Sequence, residues 1–277
     1  MDGRYVLITG GTNGIGLAAA RELAGRGARL GLVARNLGKA EGVAAELGGA
    51  DVFEADLTSQ GSIREMVADV KERAPSIDVL VNNAGAMYAT HQVSAEGIEL
   101  TWALNVIAPY LITTLLAEKL SPGGRVIGTA SDEHKRARQI DFDDLGGERY
   151  FSTSARLSGG GLRRYGETKL ALILLTGELA RRMPGIRAYS FEPGFVATGF
   201  NTNNGLVMRM MMAMARPFAR SPEKGAETLV WLATDADEPS GGYYSNKKLT
   251  EPSTAAENRE AAERLWQTCT QQTALPK

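Results

Sequence analysis

The strongest constraint on this chain is a repeated change of period. Short β-rich runs each end in a polar or glycine turn, and a helical pattern of ten or more residues follows. Tyr5-Val6-Leu7-Ile8 runs into Thr9-Gly10-Gly11-Thr12-Asn13-Gly14-Ile15-Gly16, and helical spacing begins at Leu17-Ala18-Ala19-Ala20. Arg29–Ala34 reads as a second strand and 37–47 as its helix. Residues 50–55 form a strand ending at Asp56-Leu57, and a helix over about 59–73 follows, with Ser59 as its N-cap. The run 77–81 is a further strand, leading into Asn82-Asn83-Ala84-Gly85. Strands that alternate with helices imply parallel βαβ units and a sheet covered on both faces. The expectation is an α/β fold, one domain over residues 1–277 with a doubly wound parallel sheet.

In such sheets ligands sit outside the carboxyl ends of the strands, where the Gly10 turn, Arg35, Asp56 and Asn82 would gather. A glycine turn between strand and helix lets a diphosphate approach the backbone, and the helix N-terminus adds unpaired N–H donors. The spacing is GxxxGxG rather than GxGxxG. After the second strand an acid would bind the ribose 2′-OH of NAD, whereas an arginine accommodates the 2′-phosphate of NADP. This chain has Arg35, with Lys39 one turn on and no acid before Glu41, which predicts NADP(H). The plainer alternative is that both cations face solvent.

Tyr165 and Lys169 stand four apart at the start of a helical pattern that runs to Arg181-Arg182. They would therefore share one helix face. A cation beside a phenol favours phenolate and brings an ordinarily poor base toward its working range. The pair alone is short and common.

Composition removes other classes. A net charge of −1 gives no bulk electrostatic case for nucleic acid. One cysteine, Cys269, excludes an internal disulfide framework, and two histidines argue against a His-built metal site. There is no charged-then-apolar leader and no apolar run of about 20 residues, so a cytoplasmic protein without a membrane span is expected.

Taken together, TGxxxGxG at 9–16, Asp56-Leu57, NNAG at 82–85, Asn105, Ser131, YxxxK at 165–169 and Pro193-Gly194-Phe195-Val196-Ala197-Thr198 resemble the short-chain dehydrogenase/reductase family in order and spacing. The stretches 140–145, 178–182, 251–253 and 264–266 are similar to its retinol-dehydrogenase-like branch. The resemblance implies a Rossmann-type fold and an oxidoreductase moving hydride between NADP(H) and a small-molecule carbonyl or alcohol substrate. By resemblance, Tyr165 exchanges a proton with the substrate oxygen, and Lys169 binds the nicotinamide ribose and lowers the tyrosine pKa. Ser131 hydrogen-bonds the substrate oxygen, and Asn105 holds a relay water. Gly10, Thr12, Asn13, Gly14, Ile15, Gly16, Arg35, Asp56, Leu57, Asn82, Ala84 and Gly85 correspond to cofactor contacts, as do Tyr165, Lys169, Pro193, Gly194, Val196 and Thr198. The resemblance also implies a homodimer or homotetramer.

Several residues depart from the family pattern. Ala130-Ser131 replaces a serine pair, and Glu192 precedes Pro193 and reads as exposed. Pro109 is expected to kink or tighten the helical stretch around Asn105. An insertion of about 150–162, rich in Ser and Gly, reads as a loop, and His134 as a polar loop residue. Five methionines fall within residues 208–214, and their place in the motif order predicts a lid over about 199–221 for an apolar substrate; the alternatives are a core helix with methionine filling gaps, or an apolar patch for a membrane surface or partner flanked by Arg209, Arg216 and Arg220. Two other functions stay open at this point. One is a redox-neutral enzyme on the same fold (dehydratase, epimerase or cyclase), the other a nucleotide-sensing protein without turnover.

Overall fold

The computed structural model describes residues 1–196 and 219–275. Its strands are β1 (Tyr5–Thr9), β2 (Arg29–Ala34), β3 (Asp51–Glu54), β4 (Ile77–Asn82), β5 (Leu120–Thr129), β6 (Arg187–Glu192), β7 (Tyr243–Ser245) and β8 (Lys248–Leu249). They form one sheet in the order β3-β2-β1-β4-β5-β6-β7-β8. The helices are α1 (Gly14–Gly25), α2 (Leu37–Glu46), α3 (Gln60–Arg73), α4 (Leu100–Trp102), α5 (Ala108–Leu115), α6 (Glu148–Phe151), α7 (Thr153–Leu157), α8 (Gly160–Arg182), α9 (Pro222–Thr234) and α10 (Arg259–Gln272).

The strands are apolar on both faces because both faces are covered. Val6 and Ile8 of β1 pack with Ala19 and Leu23 of α1 and Leu229 of α9. Their neighbours Tyr5 and Leu7 point the other way, toward Ile63 and Val67 of α3 and Leu111 of α5. The expected N-cap of α3 forms, Ser59 Oγ accepting from Ser62 N, and α9 is capped in the same way by Ser221 Oγ, which accepts from Lys224 N with Pro222 at the first helical position. Each such cap contributes about 1 kcal/mol.

The sheet is parallel from β3 through to β7, as expected, and ends in one short antiparallel edge strand, β8. Asn246 (φ 50°) and Lys247 (φ 60°) both adopt left-handed conformations, which is what a two-residue hairpin turn demands. The stretch of about 150–162 is not a loop, because α6, α7 and the first turn of α8 occupy it. Its glycines serve close approach: a Cβ on Gly160 would lie 1.8 Å from Tyr150 O, and one on Gly161 2.9 Å from Tyr88 O. Nor does Pro109 kink a plain helix. A π-turn, Ala103–Ile107, joins α4 to α5 and places Pro109 in the first turn of α5, where its missing N–H is tolerated. The expected lid over about 199–221 and its methionines lie outside the described residues, apart from Ala219, Arg220 and Ser221 at its end.

Candidate active site

The glycine turn follows β1 and opens α1. Gly10 (φ 68°) needs the left-handed region, and at Gly16 a Cβ would lie 2.3 Å from Gly10 O and 2.5 Å from Asn83 Nδ2. Asn13 caps α1 without a side-chain bond, and no acid stands in the first turn. Main-chain donors and the positive end of the helix therefore meet a cradle that side chains would fill, which fits a diphosphate. Thr12, Gly14 and Ile15 belong to this turn. Ile15 packs beside Val196 over Gly225 of α9.

Asn83 braces the cradle, and the sequence reading missed it. Its Nδ2 donates to Thr9 O (3.1 Å) and Gly10 O (3.3 Å), and its Oδ1 accepts from Thr129 Oγ1 (3.3 Å). One side chain thus laces the ends of β1, β4 and β5. Asn82, which was expected at the cofactor, sends its amide elsewhere, donating to Thr113 Oγ1 of α5 at 3.0 Å. Side chains alternate along a strand, so consecutive asparagines at the end of β4 cannot face one crevice. Ala84 and Gly85 do line it: a Cβ on Gly10 would lie 3.1 Å from Ala84 Cα, and one on Gly85 3.3 Å from Lys169 Nζ.

Arg35 is exposed just beyond β2. Burial raises the pKa of Asp56, but Thr58 N and Oγ1 donating to Oδ1, with the charge of Arg35, hold the carboxyl below its usual range. Leu57 follows at the same strand end. Pro193 and Gly194 leave β6, while Thr198 lies outside the described residues. Glu192 is not an exposed bystander. Its carboxylate accepts from Gly194 N (2.8 Å) and from Ser245 Oγ (2.5 Å), fastening the turn after β6 to β7.

The structure brings Ser131, Tyr165, Lys169 and Asn105 together. Ser131 follows β5, and its hydroxyl is hydrogen-bonded to the Tyr165 phenol on α8. Lys169 Nζ lies 5.4 Å from the centre of the Tyr165 ring and donates to Thr129 O at 2.7 Å. Both side chains share one helix face, as the spacing predicts. The expected pKa effect does not follow. Burial pushes the phenol well above its ordinary value, and the Ser131 hydrogen bond only partly offsets this. The ammonium lies over the ring, and burial brings its pKa down to about 8. Asn105, in the π-turn, donates to Ala86 O (2.9 Å) and Thr168 Oγ1 (3.0 Å) and accepts from Ala86 N (3.0 Å). Both amide protons are used, so a relay water on this side chain must donate to it.

A second charged group lies behind the first on α8. Arg164 pairs with Glu99 (2.9 Å) and Glu167 (2.6 Å), all three side chains fully buried. The guanidinium also donates to Leu145 O and lies 4.8 Å from the Trp102 ring. Glu99 in turn caps α4 through Thr101 N and Trp102 N, and Glu167 accepts from Asp141 N. Among the described residues no helix is long and apolar enough to cross a membrane. No group of three acidic, histidine or cysteine side chains among them is placed to hold a metal.

Comparison with known proteins agrees with this geometry. The family model described as short chain dehydrogenase matches residues 4–139. A provisionally named daunorubicin C-13 ketoreductase of Streptomyces sp. (strain C5) is 39% identical over 274 residues, covering 96% of this chain and 91% of its own. Retinol dehydrogenase 12 of Mus musculus is 36% identical over 278 residues, covering 95% and 84%. The crystal structure of a short chain dehydrogenase from Burkholderia cenocepacia J2315 in complex with NADP has a TM-score of 0.65 at 27% identity, covering 84% of this chain and 91% of that one. The chain belongs to the short-chain dehydrogenase/reductase family of oxidoreductases, in its retinol-dehydrogenase-like branch.

Proposed function

We propose that the protein uses NADP(H) to interconvert an apolar carbonyl compound and its alcohol, with Asn105, Ser131, Tyr165 and Lys169 as the catalytic set. The observation that carries this reading is the Ser131–Tyr165 hydrogen bond with Lys169 over the phenol ring, beside the glycine cradle. When bound, the nicotinamide supplies or takes the hydride. The residues handle the proton. Ser131 accepts from Glu133 N at 3.3 Å, which leaves its own O–H to point at the phenol or at a substrate oxygen. Burial keeps Tyr165 protonated at neutral pH, so the resting site favours delivering a proton to a carbonyl oxygen. Lys169 uses one proton on Thr129 O and has two more for ribose hydroxyls. The turn at Gly10, Thr12, Asn13, Gly14, Ile15 and Gly16 takes the diphosphate, and Arg35 the 2′-phosphate. Asp56, Leu57, Ala84 and Gly85 flank the adenosine, with Asn82 contributing main chain only. Pro193, Gly194, Val196 and Thr198 hold the carboxamide.

NADP(H) is supported by Arg35 and by the NADP complex of the B. cenocepacia relative. The carbonyl–alcohol couple is supported by relatives named as a ketoreductase and a retinol dehydrogenase. An apolar substrate, one catalytic domain over residues 1–277, a homodimer or homotetramer and a cytoplasmic location belong to the same proposal. The test is a panel of ketones, aldehydes and alcohols with NADPH, NADH and their oxidised forms, followed by nicotinamide absorbance. Turnover that Tyr165→Phe abolishes supports the reading. Bound nucleotide without absorbance change across the panel opposes it.

A further inference from the structure

His134, expected as a polar loop residue, is fully buried behind Ser131. Its Nδ1 lies 2.7 Å from Ser131 O, and its Nε2 lies 3.1 Å from Ser253 N. The two partners fix the tautomer. A carbonyl can only accept, so Nδ1 carries the proton; a main-chain N–H can only donate, so Nε2 is bare. The imidazole is therefore neutral and bridges two main-chain segments 122 residues apart in sequence. Its ring packs edge-to-face on Tyr243 of β7, with centroids 5.0 Å apart.

This bridge bears on the reacting groups through one residue. Ser131 O accepts from the imidazole and from His134 N (3.1 Å), while Ser131 Oγ meets the Tyr165 phenol. Holding the serine carbonyl sets the direction of its side chain. We propose that His134 is the positioning residue for Ser131, tying the hydroxyl that meets the substrate oxygen to the Ser253 segment, and that acid releases this tie. The inference rests on the catalytic reading of Ser131 given above.

Acid sensitivity follows from the tautomer. A proton on Nε2 would point an N–H at the Ser253 N–H, so that bond must break. Ser253 holds the replacement, an Oγ that is buried without a partner among the described residues. Charged groups facing the ring are Asp132 and Lys135 on its own turn and Glu192 at the end of β6; Tyr243 covers it from β7. Burial outweighs the acids and holds the imidazole below its ordinary pKa.

Four variants test the proposal, each read as kcat, KM and NADPH affinity across pH. In His134→Phe the serine carbonyl loses its side-chain donor, and kcat should fall about thirtyfold with NADPH affinity unchanged. His134→Asn restores a donor near Nδ1 and should recover to within about threefold, without the acid limb of the pH profile. Ser253→Pro, at a φ of −66° that proline adopts, removes the N–H that opposes a proton on Nε2 and with it the Oγ that would accept that proton; Ser253→Ala keeps the N–H and removes only the Oγ, so the acid limb should lie higher in Ser253→Pro than in Ser253→Ala. Folded His134→Phe with wild-type kcat, or an acid limb identical in all four, would overturn the proposal. Tyr165→Phe run alongside separates the cases: activity surviving in that variant sinks the catalytic reading, whereas its loss beside an active His134→Phe sinks only the role of His134.

Discussion

Helix α8 carries two buried charged groups within two turns, and they are built on opposite principles. Arg164 has a partner for its charge on either side, in Glu99 and Glu167, and is stacked against Trp102. Lys169 is as deeply buried, yet its hydrogen bond goes to a neutral main-chain carbonyl, Thr129 O. Compensated charge inside a protein holds elements together; uncompensated charge is strained toward neutrality and available to a ligand. The Arg164 group joins α4, α6 and the stretch around Asp141 to the start of α8, and so fixes the helix on which Tyr165 and Lys169 sit.

Removing the compensated cation should have the largest effect. Arg164→Leu leaves Glu99 and Glu167 buried without their counter-charge, and should lower unfolding free energy by about 3–5 kcal/mol in denaturant titrations. Adding Glu99→Gln and Glu167→Gln should return part of that loss. A triple variant no more stable than the single one would show that packing against Trp102, not charge, decides the outcome.

Lys169→Met should do the reverse to stability while abolishing turnover. The folded-state pKa of about 8 lies below the ordinary lysine value, so between the two the unfolded chain binds more protons. Wild-type stability therefore rises with pH across that window, and the burden of the buried ammonium is greatest below it. Free of that ammonium, the variant should be more stable than wild type by about 3 kcal/mol at neutral pH, with the gap closing toward the ordinary lysine pKa. Thermal melts of the cofactor-free proteins along a pH series measure it. A gap that widens with pH would mean that Lys169 is compensated after all.

The same contrast explains what was legible in the sequence. Features set by residue type and local spacing were legible: a glycine turn between β1 and α1, Tyr165 and Lys169 on one helix face, and the Ser59 cap. Residues whose meaning depends on a distant partner were not. Arg164 and Glu99 stand 65 positions apart, and nothing local marks either as buried. Asn83 cannot be told from Asn82 in the sequence, because the facing of side chains at a strand end depends on where the strand stops. The high phenol pKa of Tyr165 comes from burial, which spacing does not reveal. Ser-Gly richness over 150–162 suggested a loop, whereas Gly160 and Gly161 are there to let backbones touch.

The smallest effect concerns a charge that is neither buried nor paired in the core. Arg35 is exposed beyond β2, and no acid stands between it and Glu41 to repel a phosphate. A solvated guanidinium acts on a 2′-phosphate through screened electrostatics and a forked hydrogen bond, which together are worth on the order of 1–2 kcal/mol. Arg35→Ala should therefore lower kcat/KM for NADPH about tenfold and leave NADH almost unchanged. Raising the salt concentration should shrink the wild-type preference toward that of the variant, because the separation of charge lies in water. Neither change should touch the Lys169 titration, whose surroundings exclude solvent and salt alike. Equal loss for both nucleotides would place Arg35 in the shape of the turn, not in the recognition of phosphate.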